Sequence, residues 1–221
     1  MTAAVVVFPG SNCEHDAVQG LELAGTTAEL VWHTETDLSR FDLVVLPGGF
    51  AHGDYLRPGA LARISPVMDA VSAFAANGGP VVGICNGFQV LTEAGLLPGA
   101  LQKNNHLTFH CKDSVLEVAS SHSVLTNGVA VGTKLSIPIN HFSGSYVCTE
   151  ETLRELHEND QVVLRYVENP NGSLDDIAGI SNAQGNVVGL MPHPERACST
   201  LLGSTDGLVL LQALVGAAQL A

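Results

Sequence analysis

The chain has 221 residues, 46% of them hydrophobic and only 14% charged, which excludes a disordered segment and suits a single domain over residues 1–221. Its formal net charge is −13 with nine Lys and Arg and no basic run, which argues against nucleic acid or an anionic membrane surface as a partner. Five cysteines, at 13, 85, 111, 148 and 198, follow no CxxC spacing, so neither a disulfide scaffold nor a zinc ribbon is expected, and a reducing, cytoplasmic setting fits.

In chain order, the apolar run 3–8 ("AAVVVF") reads as a buried parallel strand. Ser11 and Glu14 make a capping box that starts a helix near Asn12 and carries it to Ala24, before Gly25. Strands are expected at 28–33 and 42–50, a helix at 64–79, and a strand at 80–84. This alternation predicts an α/β fold, a three-layer, doubly wound and mostly parallel sheet. The second half changes character. Segments 105–119, 134–142, 145–149 and 161–167 read as strands with only a short helix at 153–159 among them. A hairpin around Gln184-Gly185-Asn186 spans 176–195, and an apolar helix closes the chain from 206. Antiparallel strands are therefore expected in the C-terminal half. No apolar stretch reaches the ~20 residues of a membrane span.

Chemistry concentrates in three places. Gly83-Ile84-Cys85-Asn86-Gly87 has the form of a nucleophile elbow. A nucleophile on a sharp strand-to-helix turn is held in a strained conformation, and glycines two residues away remove the collisions that side chains would make. Such a turn lifts the Cys85 sulfur above the sheet edge at a helix N-terminus, where the dipole favours thiolate and the Asn86 N–H can stabilise an oxyanion. The "PGGF" stretch, 47–50, ends a neighbouring strand, and Gly49, with Phe50 beside it, can supply a second oxyanion donor. "MPHPER", 191–196, offers His193 as base and Glu195 to orient it, in a loop stiffened by two prolines. Cys13 also sits between a strand and a helix but has one glycine nearby and reads as structural. His106 and His110 on a strand would stand ~13 Å apart with Cys111 facing away, so no metal site is expected. No phosphate-binding P-loop is present.

Taken together, Pro47-Gly48-Gly49, the Gly83–Gln89 elbow and His193-Pro194-Glu195 resemble the class I, triad-type glutamine amidotransferases in order and separation. Over nearly the whole chain, "FPGSNCEHD", "GDYLR" and "NPNGS" look like the glutaminase subunits of phosphoribosylformylglycinamidine synthases. The resemblance implies L-glutamine as substrate, a Cys85–His193–Glu195 triad, Gln89 and His141 in substrate binding beside Phe50, and no cofactor on this chain. It implies a larger synthetase subunit carrying ATP and Mg, and a small bridging subunit. One stretch departs from that subgroup's pattern: "IPINHFSGSY" keeps His141 but carries Asn140, Phe142 and Ser143. Three alternatives stand beside this reading. One is a glutaminase serving another ammonia-channelling synthase, such as that of pyridoxal phosphate synthesis. The second is a cysteine hydrolase of related elbow architecture with no ammonia acceptor. The third is a catalytically weak regulatory binding module.

Overall fold

The computed structural model describes residues 1–220. Eleven strands are β1 (Thr2–Val7), β2 (Thr27–Trp32), β3 (Leu43–Leu46), β4 (Val81–Ile84), β5 (Ala100–Gln102), β6 (His110–Val118), β7 (Lys134–His141), β8 (Ser145–Val147), β9 (Val162–Tyr166), β10 (Ile177–Ser181) and β11 (Val187–Leu190). Five α-helices are α1 (Glu14–Leu23), α2 (Val67–Ala76), α3 (Asn86–Glu93), α4 (Glu150–Glu158) and α5 (Asp206–Ala218).

Nine strands form one sheet in the order β2-β1-β3-β4-β11-β10-β9-β6-β7. From β2 to β11 the neighbours are parallel; from β11 to β7 they are antiparallel. The inner parallel strands are buried on both faces, which is why β3 and β4 read as unbroken apolar runs rather than alternations, while the edge strand β2 is largely exposed. The antiparallel β7 instead alternates buried and half-exposed residues along its length. Right-handed crossovers dictate the layers. The chain leaves β1 through α1 to β2, then reverses to β3 and runs through α2 to β4. Helices α1 and α5 consequently pack together against one face, while α3 covers β3, β4 and β11 on the other.

The reversal has a functional consequence. Where the strand order switches direction, the loops at the carboxyl ends of adjacent strands part and leave a crevice. The loops after β1, β3, β4 and β11 all open on this edge, and they carry Cys13, Gly49, Cys85 and His193 respectively.

Several boundaries differ from the sequence reading. Ser11 does not cap α1: its hydroxyl accepts the Phe8 N–H at 3.1 Å and closes a turn, so the helix begins at Glu14 without a side-chain cap. The strand expected from 105 begins only at His110. The Asn104 side chain gathers the carbonyls of Thr108 and His141, and Leu107 sits at φ +51°, which folds 104–108 into a turn. Helix α2 starts late, at Val67, after Pro66. Helix α4 starts early because Thr149 accepts the Thr152 N–H at 3.1 Å and caps it. The β5–β8 ribbon escapes a sequence reading at β5, whose three residues are too few to display a period.

Candidate active site

Cys85 occupies the single residue between β4 and α3, at φ +51° and ψ −104°. This conformation costs on the order of 1–3 kcal/mol for a residue with a side chain, and the surroundings must enforce it. They do so by close approach. A Cβ on Gly87 would lie 2.0 Å from the Leu46 carbonyl oxygen, and one on Gly83 would lie 2.6 Å from the Gly87 backbone. Helix α3 can thus sit directly on β3 and β4. The Cys85 N–H donates to Leu190 O at 2.7 Å, tying the elbow to β11, the strand that leads to His193.

His193 is anchored through its own N–H, which donates to Pro138 O at 2.8 Å. Its Nδ1 lies 2.6 Å from Glu195 Oε1, and both side chains are 1% exposed. Burial alone would pull the imidazole's pKa down, but the Glu195 carboxylate, followed by Cys85 and Cys13, holds it well above the usual histidine value. Nε2 faces away from Glu195, buried and without a hydrogen-bond partner. The Cys85 sulfur is 3.7 Å from Asn140 O, and the sulfur and the imidazole line one cavity of about 800 Å³. A volume of this size suits a small molecule.

Of the remaining expected residues, Gly49, Phe50, Gln89 and His141 border the same cavity, and Asn86 does not line it. Of the N–H groups at the β3 bend, Phe50's is spent on Gly10 O at 3.0 Å, which leaves Gly49's as the candidate donor. Gly49 stands at φ +144°, and a Cβ there would meet Asn12 N at 2.8 Å. Asn86 is the first residue of α3, so its N–H has no acceptor within the helix. Phe50 is half exposed at the rim. Gln89 is buried with both ends of its amide engaged: Nε2 donates to Ser143 O at 2.5 Å, and Oε1 accepts from Asn86 at 2.9 Å. His141 is buried with Nδ1 3.2 Å from Asn104 Oδ1, and burial, with help from His193 and His110, pushes its pKa down to about 3. It is therefore neutral at pH 7. The departures at 140 and 143 meet the site through backbone carbonyls, to Cys85 and Gln89, so these contacts do not depend on their side chains.

Two groups in the site do not announce themselves in the sequence as belonging to it. Cys13, which reads there as structural, has its sulfur within 4.8 Å of ligand atoms of His193 and Glu195. It also borders the cavity, and Arg196 Nη2 lies 3.1 Å from that sulfur. These three residues are the one cluster among those described that could hold a metal ion. Two of them are already joined by the 2.6 Å hydrogen bond, and the adjacent Arg196 guanidinium would repel a cation. Asp54 is the second group: half buried in the cavity wall, it accepts from Asn86 Nδ2 at 3.2 Å. Burial pushes its carboxyl up to about 6, and the Asn86 bond relieves this only in part. The His106–His110–Cys111 segment takes no part: His106 is in a turn, and Cys111 is exposed.

The profile of the family described as the CobB/CobQ-like glutamine amidotransferase domain matches residues 1–206. The phosphoribosylformylglycinamidine synthase subunit PurQ of Lacticaseibacillus casei (strain BL23) is 55% identical over 216 residues, 97% of this chain and 95% of that protein. The subunit of the same name from Parasynechococcus marenigrum (strain WH8102) is also 55% identical over 216 residues, 97% of this chain and 100% of that one. Among solved structures, a chain of PurLQS from Thermotoga maritima superposes with a TM-score of 0.90 at 44% identity, covering 97% of each chain. A putative GMP synthase subunit from Thermoplasma acidophilum shares the fold at a TM-score of 0.68 and 16% identity, over 99% of this chain and 94% of that one.

Proposed function

The chain belongs to the CobB/CobQ-like glutamine amidotransferase family, and from that premise we propose that it is the glutaminase subunit of a phosphoribosylformylglycinamidine synthase. It hydrolyses L-glutamine and supplies the ammonia to a synthetase subunit that converts formylglycinamide ribonucleotide with ATP, in purine biosynthesis. The observation that carries this reading is the strained Cys85 elbow sharing a cavity with the buried His193–Glu195 pair, in a chain 55% identical to such subunits.

In the reaction, the Cys85 sulfur attacks the carboxamide carbon of glutamine, and a C–S bond forms while the carbonyl oxygen takes the negative charge. The N–H groups of Gly49 and Asn86 receive that oxyanion; losing one such donor typically costs ~10²–10³ in rate. His193 gives its proton to the leaving nitrogen, the C–N bond breaks, and ammonia departs. Water, deprotonated by His193, then attacks the thioester carbon; the C–S bond breaks and glutamate leaves. Glu195 fixes the imidazole through Nδ1 so that Nε2 faces the reaction. Gln89, held by Asn86 and Ser143, braces the pocket wall beside the nucleophile, while Phe50 and His141 border the substrate.

Ammonia that escapes to water becomes ammonium, which is no nucleophile, so the product must reach its acceptor by a shielded route. This chain has no P-loop, and its charge of −13 suits a ribonucleotide phosphate poorly. ATP, Mg and the ribonucleotide therefore belong to the larger synthetase subunit, with a small bridging subunit completing the complex. The five free thiols fit a reducing cytoplasm. Among the described residues no helix is long and apolar enough to cross a membrane.

The test is Cys85→Ala in the reconstituted complex. Glutamine-dependent synthesis is expected to vanish while ammonia-dependent synthesis survives. Glutamine-dependent synthesis at the unmutated rate would refute the proposal.

A further inference from the structure

The cavity bordered by Cys85 and His193 has one carboxylate in its wall, that of Asp54. It is half buried, forms no ion pair among the described residues, and has a single hydrogen bond, from Asn86. A partly buried carboxylate without a cation is costly unless something supplies the missing charge. The fold nonetheless goes to some length to hold it there. His52, Gly53 and Asp54 all adopt positive φ, at +52°, +68° and +53°. Two of these are not glycine, and positive φ is uncommon for any residue with a side chain. The Asn86 amide clamps this loop at both ends: its Oδ1 accepts the Ala51 N–H at 2.9 Å, and its Nδ2 donates to Asp54 at 3.2 Å. Asn86 directly follows the nucleophile, so the position of Asp54 is referenced to the sulfur through one rigid side chain.

We propose that Asp54 is the specificity-determining residue of this cavity, the carboxylate that receives the α-ammonium of the amino-acid substrate. The inference rests on the glutaminase reading and deepens it by naming the group that recognises the amino-acid end. Extended glutamine carries its α-ammonium about 5 Å from the carboxamide carbon, a span set by its bond lengths. A covalent fix at Cys85 and an ionic one at Asp54 therefore measure substrate length, and both ends must be right for the amide to meet the sulfur. Nearby Arg57 cannot neutralise Asp54 in place of substrate, because Glu93 holds its guanidinium through two bonds of 2.6 and 2.7 Å.

The test compares glutamine with 4-carbamoylbutanoate, the same amide lacking the α-amino group, as substrates of the full chain in complex with its synthetase. For the wild type, kcat/KM is expected to favour glutamine strongly. In Asp54→Asn, KM for glutamine should rise about 10- to 100-fold, the size of one lost charge-assisted contact, with kcat much less changed. Turnover of 4-carbamoylbutanoate should be nearly unaltered, and Asp54→Glu should restore most of the preference. Equal losses on both substrates would mean Asp54 serves only to hold the loop, and the inference fails; an unchanged preference also overturns it. Because the readout is a ratio between two substrates, partial misfolding of a variant does not mask it. A wild-type complex that makes product from ammonia but not from glutamine would instead sink the glutaminase reading itself, and this inference with it.

Discussion

Gly87→Ala isolates the geometric claim behind the elbow, because it changes no chemical group of the site. The added Cβ would stand 2.0 Å from Leu46 O, where real Cβ contacts below 3.0 Å essentially do not occur. The obstacle is backbone in β3, inside the buried sheet, so a side-chain rotation cannot relieve it. Helix α3 must back away from the sheet by about 1 Å, and it takes Cys85 with it. Overpacking of this kind costs typically ~1–3 kcal/mol, which in a chain of this size lowers Tm by about 2–12 °C. The effect on chemistry is of comparable free energy: a misplacement of ~1 Å at the reacting atoms costs about 10² in rate, about 2.7 kcal/mol. Glutamine hydrolysis at saturating substrate, thermal melting, and the rate of Cys85 alkylation by iodoacetamide would be measured together. A variant that remains folded at 25 °C with kcat near the unmutated value would refute the argument that glycine at 87 sets the sulfur's position.

Three further outcomes are expected. Glu195→Gln removes the carboxylate that raises the His193 pKa, so kcat should fall ~10²–10⁴-fold with little change in KM, and the pKa of His193 followed by NMR should drop. His141 titrates at about 3 when folded against 6.5 unfolded, so its contribution to stability is present above pH 6.5 and is lost as pH falls toward 3. His141→Gln should therefore flatten the acid limb of a urea-midpoint profile by up to about 1.4 kcal/mol per pH unit in that window, relative to the unmutated chain. Asp54 runs the opposite way: its folded pKa of about 6 lies above the unfolded value of 3.8, so the stability it contributes is fully present below pH 3.8 and is lost as pH rises through 6. Asp54→Asn should melt higher than the unmutated protein at pH 8, by about 2–4 °C for ~1 kcal/mol after discounting for solvent screening.

The parts of the site that are legible in the sequence are those whose steric demands are local. A nucleophile at an elbow needs small residues two positions away on either side, and Gly83 and Gly87 announce that need by themselves. His193 and Glu195 are legible because they stand only two residues apart, although the pair is closed by a 3-10 turn over Pro194–Arg196 and not by the extended backbone that spacing suggests. Cys13 and Asp54 are not legible, because what matters about them is created by folding. Cys13 reaches Arg196 only when the loop after β1 meets the loop after β11. Asp54 becomes buried only because three successive positive-φ residues turn its loop back onto Asn86. Ser11 shows the reverse failure, a local signal overridden by another local bond: its hydroxyl meets Phe8 N–H first and never caps the helix. The loop at 104–108 reads as strand in the sequence because its fate rests on one buried side chain, Asn104, whose carbonyl partners include one 37 residues away.

The most direct measurement is active-site labelling with 6-diazo-5-oxo-L-norleucine, an electrophilic analogue of glutamine, followed by peptide mapping in a mass spectrometer. A single adduct on Cys85, slowed by added glutamine and absent in Cys85→Ala, is the expected result. An adduct on Cys13 with Cys85 untouched, or labelling indifferent to glutamine, would contradict the account.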